Sequence, residues 1–437
     1  MGVLAVCVVV ALLVAMIGWL KVQPFLAFVI AALAAALIVG LPLAAIPKTI
    51  EKGIGDLLGP LSIVICLGAM FGKLVADSGA AQRIAASLVA LFGQRMLPLA
   101  LAVTGFVVGI PLFYNVGFVL LVPLVFSLAY RARLPTVVVG VPMLAGLSIA
   151  HGFLPPHPSP VALVAQLGAD TGLTLLYGLV VGIPTLLIAG PLFARTLRGF
   201  ALPEGGLFAT AEIAQERLPG AFNAFLTALL PVLLIAATTV AAHWLPLSPA
   251  IAPVVAFAGN PSIVLLVSLV AATISLGLVR GTPLAEVMAG FGAAVKDVAG
   301  ILLIVAGAGG LKQVFADGGI DVALADALKA LPLPPLLLGW LVAAAIRVAL
   351  GSATVAGLTA VGIVAPLAAA TGADPNLMVL AVGAGSLIAS HVNDSGFWMF
   401  KEYFGLSLRD TFRSWTLMET LVGMFGIAFV LALDAVI

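Results

Sequence analysis

Apolar residues in this chain come in long unbroken runs, not in alternation with polar ones. Near-spanning runs fall at 3–20, 24–45, 60–76, 97–110, 113–130, 136–150 and 173–194, and a second set at 222–244, 261–280, 298–316, 334–350, 353–370, 376–390 and 414–434. A helix takes about 20 residues to cross the hydrocarbon core, so several of these runs are short. Continuous runs favour helices over a lipid-facing barrel, whose strands alternate. In lipid each span must satisfy its own backbone hydrogen bonds. The pattern predicts an all-α polytopic membrane protein with two sets of about seven hydrophobic segments.

The longest polar interval runs from Arg195 to Gly220 and holds Arg195, Arg198, Glu204, Glu212, Glu216 and Arg217. It is too short for a folded domain. It predicts a cytoplasmic linker over 195–221 between a first transmembrane repeat, 1–194, and a second, 222–437.

The two sets share polar devices at a fixed offset. Ala150-His151 and Ser390-His391 each end an apolar run, and the two imidazoles are 240 residues apart. Ala76-Asp77-Ser78-Gly79 and Ala316-Asp317-Gly318-Gly319 repeat the same offset. Internal duplication with interrupted hydrophobic segments at matching places is how many secondary transporters build a mid-membrane site. An odd number of segments per half predicts halves of opposite orientation. Cytoplasmic loops are enriched in Lys and Arg. With the N-terminus outside and the linker inside, Lys21, Arg83, Arg95, Arg131, Arg133, Arg195, Arg198, Arg217, Arg280, Lys296, Lys401, Arg409 and Arg413 fall on the cytoplasmic side. Only Lys48, Lys52 and Lys329 fall clearly outside.

Composition sharpens the class. Hydrophobic residues make up 63% and charged residues 8% of 437 positions, with mean hydropathy +1.28 and net charge +1. Soluble domains carry roughly 25% charge, so a water-soluble fold is excluded, and the balance gives no case for nucleic acid. Cys7 and Cys66 both sit in apolar runs and support neither a disulfide framework nor a metal cluster. The first run has no basic residue before it, so it reads as a retained span, not a signal peptide.

Two joints lie between apolar flanks. Gly109-Ile110-Pro111-Leu112-Phe113-Tyr114-Asn115 links the fourth and fifth segments, and Leu350-Gly351-Ser352-Ala353-Thr354 links the matching pair. Two readings are open: tight external turns, or breaks at which unwound backbone lines a cavity. The stretch from Ser148 to Pro160 carries His151, His157 and four prolines in six residues, which oppose a regular helix. It is either a rigid solvated turn or a polar break. The stretch His391-Val392-Asn393-Asp394-Ser395-Gly396-Phe397-Trp398 predicts a helix start near Phe397. Asp394 either caps that helix or faces a cavity, and free N–H groups there suit an anion. Arg347, four residues before Gly351, either clamps a carboxylate with two parallel bonds or snorkels to the interface. A charge at that depth is costly and usually functional or paired. Lys73 with Asp77, and Lys401 with Glu402, read equally as structural ion pairs.

Enzyme signatures are missing. Gly68 to Lys73 is one residue short of a phosphate loop, with Leu74 where the hydroxyl belongs. No His-Glu-x-x-His motif occurs. No cofactor is expected, and coupling to an ion gradient fits better than ATP. A passive channel or an intramembrane enzyme remain as other classes.

Taken together, His151-Gly-Phe-Leu-Pro-Pro-His157, Gly351-Ser-Ala-Thr-Val355, His391 to Trp398 and Phe400-Lys-Glu-Tyr-Phe404 resemble the gluconate permease family. Ala76-Asp77 through Ala85 and Leu112 to Phe118 match as well. The resemblance runs in order from near Lys73 to Trp415. It implies proton-coupled uptake of gluconate or a related sugar acid, or of D-serine, across the bacterial inner membrane. It further implies two inverted repeats, re-entrant hairpins and a homodimer. One position departs: the family pattern commonly has Glu where Asn115 stands, and Asn does not titrate. His151, His157, His391 and Asp394 are then the proton-coupling candidates, since His titrates near pH 6.5. Substrate contacts are expected from Tyr114, Asn115, His151, Arg347, Ser352, Thr354, His391, Asn393 and Ser395.

Overall fold

The computed structural model describes residues 2–202, 215–320, 326 and 330–437. Glu204 and Glu212 of the linker, and Lys329, lie outside the described residues. Among those residues the fold is helical throughout. The first half comprises α1 (Gly2–Leu13), α2 (Pro24–Ile38), α3 (Ile46–Asp77), α4 (Ala80–Phe92), α5 (Leu97–Gly109), α6 (Tyr114–Ala132), α7 (Thr136–Phe153), α8 (Pro158–Leu167) and α9 (Thr171–Leu187). The second comprises α10 (Ala221–Trp244), α11 (Ala252–Ala258), α12 (Pro261–Ala272), α13 (Leu284–Asp317), α14 (Pro335–Leu350), α15 (Ala353–Thr371), α16 (Pro375–Leu387), α17 (Ser395–Tyr403), α18 (Leu408–Thr411) and α19 (Leu417–Asp434). Nine helical stretches among the described residues are long and apolar enough to cross a bilayer.

Two helices form the centre. Every residue of α7 is buried except His151, and every residue of α16 after Pro375 is buried. Both lack a polar face because protein surrounds them on all sides. The outer helices instead present leucine, isoleucine and valine outward, such as Leu37 and Ile38 on α2 and Leu266, Val267 and Val270 on α12. Such residues belong against lipid tails.

Several boundaries differ from the sequence reading. The runs 60–76 and 298–316 are only the second parts of the 32- and 34-residue helices α3 and α13. Glu51, Lys52 and Asp56 lower the apolarity of the first part of α3, but all three point outward while Thr49, Gly53 and Leu57 are buried. Helix α4 has no counterpart among the predicted spans, because Gln82, Arg83 and Ser87 interrupt its apolar run. Its buried face is Ala80, Ala81, Ile84, Ala85 and Leu88. It meets the following helix at 108°.

Helices α3 and α13 cross on small residues. A side chain on Gly53 would strike the Gly309 carbonyl, and one on Gly309 would strike that of Gly53. Close backbone approach of this kind is how helices associate where lipid removes the hydrophobic drive. Thr49 donates to Asp317 at 2.9 Å and Lys52 to Gln313 at 3.3 Å. At the other end the Asp77 carboxylate lies beside Gly290. The two helices therefore run antiparallel. Lys73 and Asp77 form a partly exposed ion pair at 2.9 Å; Asp317 instead takes the Thr49 hydroxyl and the Gln313 amide.

Both joints lie inside the protein. Ile110, Pro111, Leu112 and Gly351 are buried, which removes the external-turn reading.

Candidate functional site

Four helix interruptions meet at the centre: 110–113 between α5 and α6, 154–157 between α7 and α8, 351–352 between α14 and α15, and 388–394 between α16 and α17. The proline-rich stretch is less irregular than its composition suggests. Helix α7 continues through His151 to Phe153, and α8 starts at Pro158, because proline is tolerated in the first turn, whose N–H groups have no intrahelical partner. The helix predicted near Phe397 starts at Ser395, with Asp394 accepting from Gly396 N–H at 2.9 Å.

Two of the interruptions, 154–157 and 388–394, each close the end of a neighbouring helix. The last carbonyls of a helix have no internal partner. His157 Nε2–H donates to the Gly109 carbonyl at the end of α5, at 2.5 Å. Asn393 Nδ2 donates to the Val348 and Ala349 carbonyls at the end of α14, at 2.8 and 3.4 Å. Gly109 and Ala349 stand at the 240-residue offset. The two halves thus close matching helix ends, through His157 and Asn393, which are not themselves at that offset.

Arg347 does not snorkel. It is 3% exposed and its NH2 nitrogen donates to Asp394 Oδ2 at 2.5 Å. Asp394 is therefore both cap and ion-pair partner. Ser390 Oγ donates to the same carboxylate oxygen at 2.5 Å and accepts from Trp415 Nε1 at 2.8 Å. Thr416 Oγ1 closes the cluster by donating to the Ser390 carbonyl at 2.6 Å.

The first half joins through aromatic rings. Tyr114 lies 6.1 Å from Trp415 and 6.3 Å from His151, ring centre to ring centre, and His151 lies 5.4 Å from His157. Among the described residues, Arg347 Nε and NH1, the Tyr114 hydroxyl, Asn393 Oδ1, and Nδ1 of His151 and His157 are buried without a hydrogen-bond partner. An unmade buried bond costs about 1–3 kcal/mol per group. Their concentration in one place marks a polar site, not a packed core.

The remaining expected residues are placed as follows. Ser352 caps α15 through Val355 N–H, and Thr354 is half-buried as the second residue of that helix. His391 is half-buried and bonded only locally, to the Ala389 carbonyl at 2.9 Å. Asn115 and Ser395 are exposed and stand apart from the bonded cluster.

Sequence reasoning missed Glu419. It is 2% exposed on α19, and Ser148 Oγ donates to its Oε1 at 2.5 Å. The signal was available: a lone acid inside the run 414–434 is as conspicuous as Arg347 in its own.

Replacing Trp415 by Phe removes the donor to Ser390 but keeps the aromatic packing against Tyr114 and Phe400. Thermal unfolding in detergent is expected to show a loss of about 1 kcal/mol. An unchanged transition would mean that the Ser390 hydroxyl finds another donor.

Fold and site together define a polytopic membrane permease, with a charged cluster where interrupted helices from both halves meet. Residues 1–436 match the GntP family permease family, and the chain belongs to it. It is 45% identical over 431 residues to a high-affinity gluconate transporter of Escherichia coli, covering 98% of each chain. It is 44% identical over 427 residues to the Gnt-II system L-idonate transporter of the same organism, covering 98% of this chain and 97% of the relative. Among solved structures, the Alcanivorax borkumensis YdaH transporter shares the fold, with a TM-score of 0.69 at 18% identity over 95% of this chain and 98% of that one.

Proposed function

We propose that this protein takes up gluconate or a closely related sugar acid by proton symport and alternating access. The observation that carries the reading is Arg347. One nitrogen is held by Asp394, and the other two, Nε and Nη1, are buried without a partner among the described residues. Unpaired guanidinium N–H groups are strong, charge-assisted donors for a carboxylate. They lie at the convergence of interrupted helices, the usual place for a transporter's substrate. Hydroxyls of the substrate are assigned to Tyr114, His151, Ser352, Thr354, His391 and Asn393. The exposed Asn115 and Ser395 are assigned to its path.

The two halves are proposed to lie in opposite orientation, with the linker cytoplasmic. The antiparallel α3–α13 crossing and the distribution of Lys and Arg support this. Homodimerisation is proposed from the family resemblance alone. Names of the relatives supply the substrate class; an L-idonate transporter among them favours, as a second reading, a related aldonate.

The test is uptake of radiolabelled gluconate into membrane vesicles, with and without an imposed pH gradient. Saturable accumulation that follows the gradient, and is reduced by excess idonate, is expected. No uptake of any sugar acid would remove the substrate assignment. Equilibration that ignores the gradient would remove the coupling.

A further inference from the structure

We propose that Glu419 carries the coupled proton, and that its protonation is what admits the anion to the unpaired N–H groups of Arg347. This rests on the symport reading above.

The geometry supplies the reason. Glu419 Oε1 accepts from Ser148, and Oε2 is buried without a hydrogen-bond partner among the described residues. A carboxylate with one oxygen unpaired in an apolar interior is costly, and such intramembrane acids typically mark ion pathways. Arg347 and Asp394 lie within electrostatic reach of Glu419, and so does Tyr114. Helix α7 contributes Ser148 and, one turn on, His151. Helix α16 and the turn 188–192 bring no titratable side chain. On α9, Tyr177 is near Asp374 instead. One guanidinium thus lies within electrostatic reach of two carboxyl groups, one bonded to it and one not. With Glu419 ionised, Asp394 and Glu419 already exceed the single positive charge, and an arriving carboxylate is repelled. With Glu419 protonated, Asp394 balances Arg347 and the anion accepts from the guanidinium N–H groups left free. The proton comes from the outer solution with the substrate and leaves from Glu419 to the inner solution after the substrate departs. Asn115 then needs no carboxylate.

Gluconate affinity of the purified protein in detergent, measured from acid to alkaline pH, tests this. Wild-type affinity is expected to fall about tenfold per pH unit on the alkaline side, because binding and protonation are linked. Glu419→Gln is expected to bind with a flat pH profile. In vesicles it should retain gluconate counterflow and lose gradient-driven accumulation. Glu419→Gln with the wild-type slope overturns the assignment while leaving symport intact. A flat wild-type profile instead removes proton coupling itself. The wild-type protein gives a readout that needs no variant: gluconate should produce an infrared difference band of a protonated carboxyl, absent with a non-substrate sugar. Absence of that band also overturns the assignment.

Discussion

Arg347→Gln is expected to abolish sugar-acid uptake, by more than about 100-fold, and to lower stability by about 3–5 kcal/mol. Two separate effects are involved. The variant loses the charged N–H groups that meet the substrate carboxylate. It also strands Asp394, whose Oδ2 is held by Arg347 and Ser390, as a largely buried charge without its cation. Removing one member of a buried pair is far costlier than removing both. The double variant Arg347→Gln/Asp394→Asn is therefore expected to recover most of the thermal stability and none of the transport. Arg347→Lys keeps the charge but not the planar donors, and uptake should fall roughly tenfold. Unfolding in detergent and vesicle uptake separate the two roles. Wild-type uptake by the glutamine variant would place the substrate elsewhere, whatever happened to stability.

Gly351→Ala is the second large effect, for a different reason. Gly351 ends α14 at φ +79°, in the left-handed region. Any other residue there costs about 1–2 kcal/mol. A methyl group would also strike the backbone carbonyl of Asn393. Asn393 holds the last carbonyls of α14 and precedes the Asp394 that pairs with Arg347, so the clash is delivered directly to the site. Uptake is expected to fall about 10- to 100-fold, since a displacement of about 1 Å is enough to spoil a binding geometry. Gly372 is the control. It has a similar φ, +69°, with open space where a side chain would go. Gly372→Ala should cost a comparable backbone strain and leave uptake near wild type. Equal loss in both variants would show that strain alone, not the contact with Asn393, is responsible.

Much of the site was legible because lipid makes polar residues conspicuous. Arg347, Asp394 and the histidines stand out in apolar sequence, and the 240-residue offset links His151 to His391 without any structure. The boundaries were less legible. Prolines between 155 and 160 read as a long irregular stretch, yet only four residues are non-helical, since Pro158 starts α8. Helix α4 was hidden by its polar face. Glu419 was overlooked inside a run taken as plain span.

The residues alone determined that the chain lives in a bilayer, that its helices are interrupted at matching places, and that a few charged and imidazole groups sit there. These follow from composition and spacing, because a buried polar group is expensive wherever it lies along the chain. Only the tertiary structure decided the partners. It gave His157 and Asn393 to the ends of neighbouring helices, tied Arg347 to Asp394, and set Glu419 against Ser148. Pairings between residues 44 to 271 positions apart depend on how the helices pack, and no local pattern in the chain encodes them.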